Sequence, residues 1–434
     1  MQDVRQRNTS SPEEEIYEKR NVGFTASYDA CLLGGCSKES AEQTEITLIH
    51  GWGSMESEHV RMRQIYKDFE KEHPEIKLNL VSMTSSDEVI KKTKNMLSVG
   101  EVPDLIFTGG YGKDSVYRFM EEKNKAADLM PYLEKDQEFA DSVAPEIISY
   151  WQKDGKLYTL SDVLLLGGGY WYNADIFEKA GIESVPETWD EFLEACEKIQ
   201  SWSQNEGKSV IPVQITKENS AYLADALLLD TSKEAQDAVE NHSMMLSAKE
   251  LFPVLETMKQ IRQYGDSTDK NYGYRDEGSM FNSGNTAMYI NGVWASKLID
   301  EKIDACYAPF PGKNGSTIAS SSVCLGYIVG NTGNQETMDA SVEFLKYMLS
   351  EKVQKRILLE TGQMPSSPKI HLEEYKEQIP RMCNAVEAIR GADRIIEVPD
   401  NLWTADQLEN FRNQIMEVLN GTLDEEQFCT NLYQ

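Results

Sequence analysis

The sequence predicts an α/β protein organised around a parallel sheet, and three observations carry that expectation. Residues 45–108 alternate strand, helix, strand, helix and strand, and parallel strands need a crossover that a helix usually supplies. The length of 434 residues suits two or three domains, each able to bury its own core. At 40% hydrophobic and 26% charged residues, the composition is that of a globular chain.

Each element has a local reason. Glu45 to His50 alternates and is rich in β-formers, so it reads as the first strand. Gly51-Trp52-Gly53-Ser54-Met55-Glu56 is a turn at its carboxyl end. Met62, Ile65, Tyr66 and Phe69 recur with helical spacing between His59 and His73. Pro74 stops that helix, and Ile76 to Met83 alternates as the second strand. Ser86 to Val99 is the second helix, with Ser86 or Asp87 at its N-cap. Gly100 to Pro103 ends it, and Asp104 to Thr108 is the third strand. Later helices are expected over 190–202, 251–264, 338–349, 352–359 and 402–419, with a strand over 287–290 before Asn291-Gly292. No repeat of 20–50 residues is visible, so a solenoid is not supported.

Charge and cysteine content exclude several classes. With 72 acidic and 43 basic side chains the formal charge is −29. Phosphate neutralisation needs Lys and Arg, which argues against nucleic acid as a partner; an anionic membrane surface would also repel the chain. No apolar run is long enough for a transmembrane helix. The seven cysteines form no C-x-x-C pair and only five histidines are present, so neither a metal site nor a disulfide framework is expected.

Residues 1–43 read as a disordered arm, since residues 1–30 are polar and lack periodicity. Within the arm, Leu32-Leu33-Gly34-Gly35-Cys36-Ser37 resembles a bacterial lipobox, with Cys36 as the lipidated residue and Lys38 to Glu45 as a tether. A lipoprotein signal also carries an apolar segment before its cysteine, and Asn21 to Cys31 includes Asp29 instead. A native start different from Met1 is one expectation that accounts for this.

Several colinear segments across residues 44–434 form one ordered set. They are Phe69 to Leu78, Gly100-Glu101-Val102-Pro103-Asp104-Leu105, Asp154-Gly155-Lys156-Leu157-Tyr158, Tyr170 to Ile182, Pro186-Glu187-Thr188-Trp189-Asp190-Glu191-Phe192 and Phe281 to Trp294. Pro309-Phe310-Pro311-Gly312 and Gly326-Tyr327-Ile328-Val329 follow in order, and the set resembles the bacterial extracellular solute-binding proteins, the maltose-binding-protein-like carbohydrate-binding lipoproteins of ABC importers. Ser161 stands where the family usually has proline.

The resemblance implies two α/β lobes of the type II periplasmic-binding-protein-like fold, joined by a hinge, with ligand in the interlobe cleft. It places the first lobe at 44–153 and 307–353, and the second at 154–306 and 354–434. It implies a carbohydrate ligand, ABC permease subunits as partners, a separate ATPase and an extracellular, lipid-anchored monomer (periplasmic in a double-membrane bacterium). No cofactor and no metal are expected.

Sugars need aromatic faces together with hydrogen-bonding groups. The resemblance assigns Trp294 to stacking and Trp403 to a ligand-facing position. Trp52 and Ser54 follow the first strand, at the sheet edge where open parallel sheets collect ligands. Gly109 and Tyr111 follow the third strand at that edge. Asp162 offers a hydroxyl acceptor, Trp171 stands behind Gly167-Gly168-Gly169, and Tyr327 can line the cleft from the first lobe. The alternative ligand is a polyamine, which suits an acidic, aromatic cleft. Catalysis has no support: the chain has no G-x-S-x-G, H-E-x-x-H or Walker A pattern, and a glycosidase carboxylate pair can be proposed in any chain this acidic.

Overall fold

The computed structural model describes residues 43–110, 115–266 and 274–433. Cys36 and Tyr111 therefore lie outside the described residues, as does the expected arm up to residue 42.

Thirteen strands are present among the described residues. In chain order they are β1 (Thr44–His50), β2 (Ile76–Ser82), β3 (Leu105–Thr108), β4 (Thr159–Leu160), β5 (Val163–Gly167), β6 (Gly169–Asn173) and β7 (Ile211–Val213). β8 (Thr286–Ile290), β9 (Ala305–Pro311), β10 (Thr317–Ser322), β11 (Gly326–Val329), β12 (Met364–Pro365) and β13 (Arg394–Ile396) follow. They form two sheets, of order β2-β1-β3-β11-β4 and β12-β5-β10-β9-β6-β8-β7, with β13 pairing β10.

The smaller sheet begins as the expected unit: β1 pairs parallel with β2 and with β3. The connecting helices are Ser57–Glu72 and Ser86–Ser98. Met62, Ile65, Tyr66 and Phe69 are wholly buried on one face of the first of them. They meet Phe344 and Leu345 of the helix Gln335–Leu349 in the same core. β11 then enters antiparallel between β3 and β4.

The larger sheet is covered on both faces. Tyr170, Met288, Ile290, Ala308 and Phe310 belong to one core, while Trp171, Tyr289 and Tyr307 belong to the other. Neighbours along a strand point to opposite faces, so a sheet apolar on both faces needs helices on both sides.

The strand pairing corrects the expected lobe boundaries. β4 still pairs in the smaller sheet, so the chain leaves after Leu160, not at residue 154. The return expected at residue 307 falls inside β9, and β9 and β10 both pair in the larger sheet; the return follows Ser322. Within β9, Phe310 between Pro309 and Pro311 donates its N–H to the Gly168 carbonyl at 3.2 Å. The helix expected over 402–419 also starts later than expected. Trp403 is extended (φ −93°, ψ 154°), and Thr404 with Gln407 forms a capping box for Ala405–Leu419.

The chain crosses between the sheets three times, at 160–163, 322–326 and 356–364, and buried polar groups tie the crossings together. Gln354, with no exposed surface, donates to the carbonyls of Asp162 at 3.0 Å and Met348 at 2.9 Å. Its side-chain oxygen accepts the N–H groups of Ser366 and Ser367, both at 2.9 Å. Ser366 Oγ donates to the Ser161 carbonyl at 2.6 Å, and Trp151 Nε1 to the Val323 carbonyl at 3.0 Å. Gln354→Ala would leave the buried Ser367 N–H without its acceptor, at about 1–3 kcal/mol, while the Ser366 N–H keeps the Asp162 carbonyl at 3.1 Å. The expected result is a lower urea midpoint for the variant, measured by circular dichroism.

Candidate functional site in the cleft

Trp294 sits on a short 3-10 helix, Val293–Lys297, directly after β8. Its ring lies on a floor of glycine: a Cβ on Gly292 would come within 2.2 Å of it and one on Gly167 within 3.2 Å. Any side chain at 292 would lift the ring. Below the floor, Trp171 is wholly buried and its Nε1 donates to the Gly292 carbonyl at 2.9 Å. Trp171 thus holds the turn that carries Trp294 and does not itself face the cleft. Its own ring packs edge-on to Tyr307, with centroids 5.1 Å apart.

Tyr222 supplies the second aromatic face. It lies on the helix Ser220–Leu228, 6.4 Å from the Trp294 ring at an angle of 51°. The half-buried Tyr222 ring packs against the core of each lobe, which places it at their junction. Trp294, Tyr222, Glu218, Asn219, Glu277 and Asn291 line one hollow.

The polar wall of the hollow is held from behind. Glu277 is 5% exposed; it accepts from the Thr216 hydroxyl and from Asn219 Nδ2, the latter at 3.3 Å. Asn219 in turn accepts the Thr216 N–H at 3.0 Å. Burial pushes the Glu277 pKa up to about 8, helped by the negative charge of Glu218 and opposed by these hydrogen bonds. Asn291 Oδ1 accepts the Gly292 N–H at 2.8 Å. The hollow therefore offers two aromatic faces, two carboxyl groups and two amides around a glycine-cleared space, the equipment that a polyhydroxylated ligand requires.

Other expected site residues serve the fold in this structure. Trp403 is 1% exposed, and its Nε1 donates to Asp225 Oδ1 at 2.8 Å inside the second lobe. Trp52 is 8% exposed and packs against Phe107, with centroids 5.4 Å apart. Ser54 Oγ lies 2.7 Å from His59 Nδ1, and Arg63 donates to the Ser54 carbonyl at 2.8 Å, so that turn is pinned from within. A Cβ on Gly109 would meet the Leu325 side chain at 3.4 Å, and one on the adjacent Gly110 would come within 3.3 Å of the Asp400 carbonyl.

Asp162 and Tyr327 belong to the crossings. Tyr327 OH donates to Asp162 Oδ2 at 2.9 Å and lies 2.8 Å from Tyr66 OH. Burial raises the Asp162 pKa to about 7.

Tyr222, Glu218 and Glu277 are functional candidates that the sequence did not single out. Tyr222 sits in a nearly continuous apolar run, Ala221 to Leu229, that reads as core. Glu277 is one carboxylate among 72 acidic residues, and only its burial sets it apart.

Two sheets, three crossings and a polar, aromatic hollow beside the junction define a two-lobed binding protein. The chain belongs to the bacterial extracellular solute-binding protein family, whose model matches residues 64–381. It is 25% identical over 354 residues to the multiple sugar-binding protein of Streptococcus mutans, covering 77% of this chain and 78% of that one. Over 185 residues it is 31% identical to the melibiose/raffinose/stachyose-binding protein MelE of Bacillus subtilis, covering 42% and 39% of the two chains. Among solved structures it is similar to a Streptococcus pneumoniae solute-binding protein in complex with the blood group A-trisaccharide. That likeness has a TM-score of 0.73 and 23% identity, over 89% of this chain and 98% of the other. Maltose-bound MalE3 of T. maritima gives a TM-score of 0.70 at 18% identity, over 90% and 98%. The two-lobed α/β fold expected from the sequence is the fold these structures share.

Proposed function

We propose that this chain is the extracellular substrate-capturing subunit of an ABC importer and that it binds a sugar or oligosaccharide in the interlobe cleft. The observation that carries the reading is the half-buried Trp294 ring, mounted on glycine with Tyr222, Glu218, Asn219 and Asn291 around it. Relatives named for sugars support it. In this reading the chain binds and releases its ligand unchanged and acts as a monomer. Ligand contacts to both lobes form only when they close, so ligand shifts the population toward the closed form. The closed form docks on the permease subunits, and ATP is hydrolysed by a separate protein.

A thermal-shift panel of oligosaccharides and linear polyamines tests the ligand class. An oligosaccharide at about 100 times its Kd should stabilise the protein by about 2.7 kcal/mol. A rise in melting temperature with polyamines alone would remove the sugar reading. Among the described residues no helix is long and apolar enough to cross a membrane. We place the protein at the outer membrane face through a diacylglyceryl group on Cys36. Mass spectrometry of the protein from its own cells should find that mass on Cys36, and an unmodified cysteine would refute the anchor.

A further inference from the structure

We propose that the sugar ring seated on Trp294 carries a protonated amine in place of one hydroxyl, held between Glu218 and Glu277. The inference rests on the sugar-binding reading above and narrows its ligand to amino-substituted, cationic sugars.

The charges around the hollow are one-sided. Two carboxyl groups line it and no Lys or Arg does. Glu218 Oε2 is sealed from water and accepts no hydrogen bond. Its other oxygen has Lys217 Nζ at 3.6 Å, on an ammonium side chain 57% exposed to solvent. A buried carboxylate oxygen without a donor is costly and calls for one from the ligand. A hydroxyl supplies one donor and no charge. An ammonium supplies three donors and a full positive charge, and its hydrogen bonds to carboxylate are about twice as strong.

Glu277 behaves differently from its neighbour. Burial and the Glu218 charge keep its pKa near 8, so it is a neutral acid in the ligand-free protein at pH 7. A cation arriving beside it reverses that balance and favours the ionised form. Binding of an amine then releases a proton from Glu277, and the cation is matched by a second carboxylate. The faces of Trp294 and Tyr222 also attract a cation. Uronic acids and sugar phosphates meet the Glu218 charge in a hollow that no Lys or Arg lines.

The test uses matched pairs that differ only in amine against hydroxyl: glucosamine and glucose, galactosamine and galactose, and their oligosaccharides of equal linkage and length. Calorimetric titration of the full chain at about pH 6.5 should find the amine member about tenfold tighter, the ratio a charge-assisted bond provides. Repeating the titration in buffers of different ionisation enthalpy should show proton release with the amine member only. Glu218→Gln should bring the amine-to-hydroxyl ratio close to one; Glu218 is only half-buried, so the fold tolerates the change. Hydroxyl members that bind as tightly as their partners, or an E218Q ratio equal to the wild-type ratio, would overturn the inference. Glu277→Gln should abolish the proton release, and release that persists would overturn the role given to Glu277. Binding of neutral sugars alone leaves the sugar reading intact and removes this one. Binding by no member of any pair removes both.

Discussion

Trp294→Ala should weaken sugar binding about 30- to 1,000-fold, the effect of truncating a central aromatic at about 2–4 kcal/mol. The ring touches glycine on one side and the hollow on the other, so its removal leaves no deep cavity in either core. Circular dichroism and melting temperature should stay near wild type while the Kd, read by calorimetry, rises. Trp294→Phe should fall between the two, because it keeps a smaller face in the same place. Gly292→Ala should mimic the alanine variant without touching the indole, since a methyl group there would come within 2.2 Å of the ring. Near-native affinity in Trp294→Ala would remove the tryptophan from the site.

Raising the pH from about 6.5 to 8.5 should lower the melting temperature of the ligand-free protein. Burial lifts the pKa of Asp162 to about 7 and those of Asp225 and Glu277 to about 8, against about 4 in an unfolded chain. The folded state therefore holds protons that the unfolded state has lost, and stability falls as pH climbs through the folded values. Full stability from these three groups is present only below about pH 4. His50 works the other way: burial, with the nearby Arg63 charge, lowers its pKa to about 3. It offsets part of the gain below about pH 6.5 and nothing above it. The formal charge of −29 adds repulsion in the same direction, so a variant must separate the two causes. Asp225→Asn keeps an acceptor for Trp403 and removes the titration. Its melting temperature should fall less steeply over the same interval, and an unchanged slope would refute the account.

Much of the fold was legible because its signals are local. Met62, Ile65, Tyr66 and Phe69 declare a buried helix face by spacing alone, and Pro74 marks its end. The lobe boundaries were less so. β9 hides behind two prolines, and only its pairing with β6 places it in the larger sheet. Of the candidate hollow, the sequence singles out Trp294, which ends the segment Phe281 to Trp294, and leaves the rest obscure. A tryptophan after a strand or before a helix looks the same whether it faces a cleft or a core. Trp52 and Trp403 turn inward because Phe107 and Asp225 wait there, and neither partner is near in sequence. Tyr222, Glu218 and Glu277 meet Trp294 from distant segments that only packing brings together.

The insertion of β11 between β3 and β4 has a consequence for biogenesis. Ile106 and Ile328 become neighbours in one sheet, so the first lobe stays incomplete until more than three quarters of the chain has emerged. Contacts so distant in sequence form slowly. The order of the strands thus makes the closing of this sheet wait on a late segment of the chain.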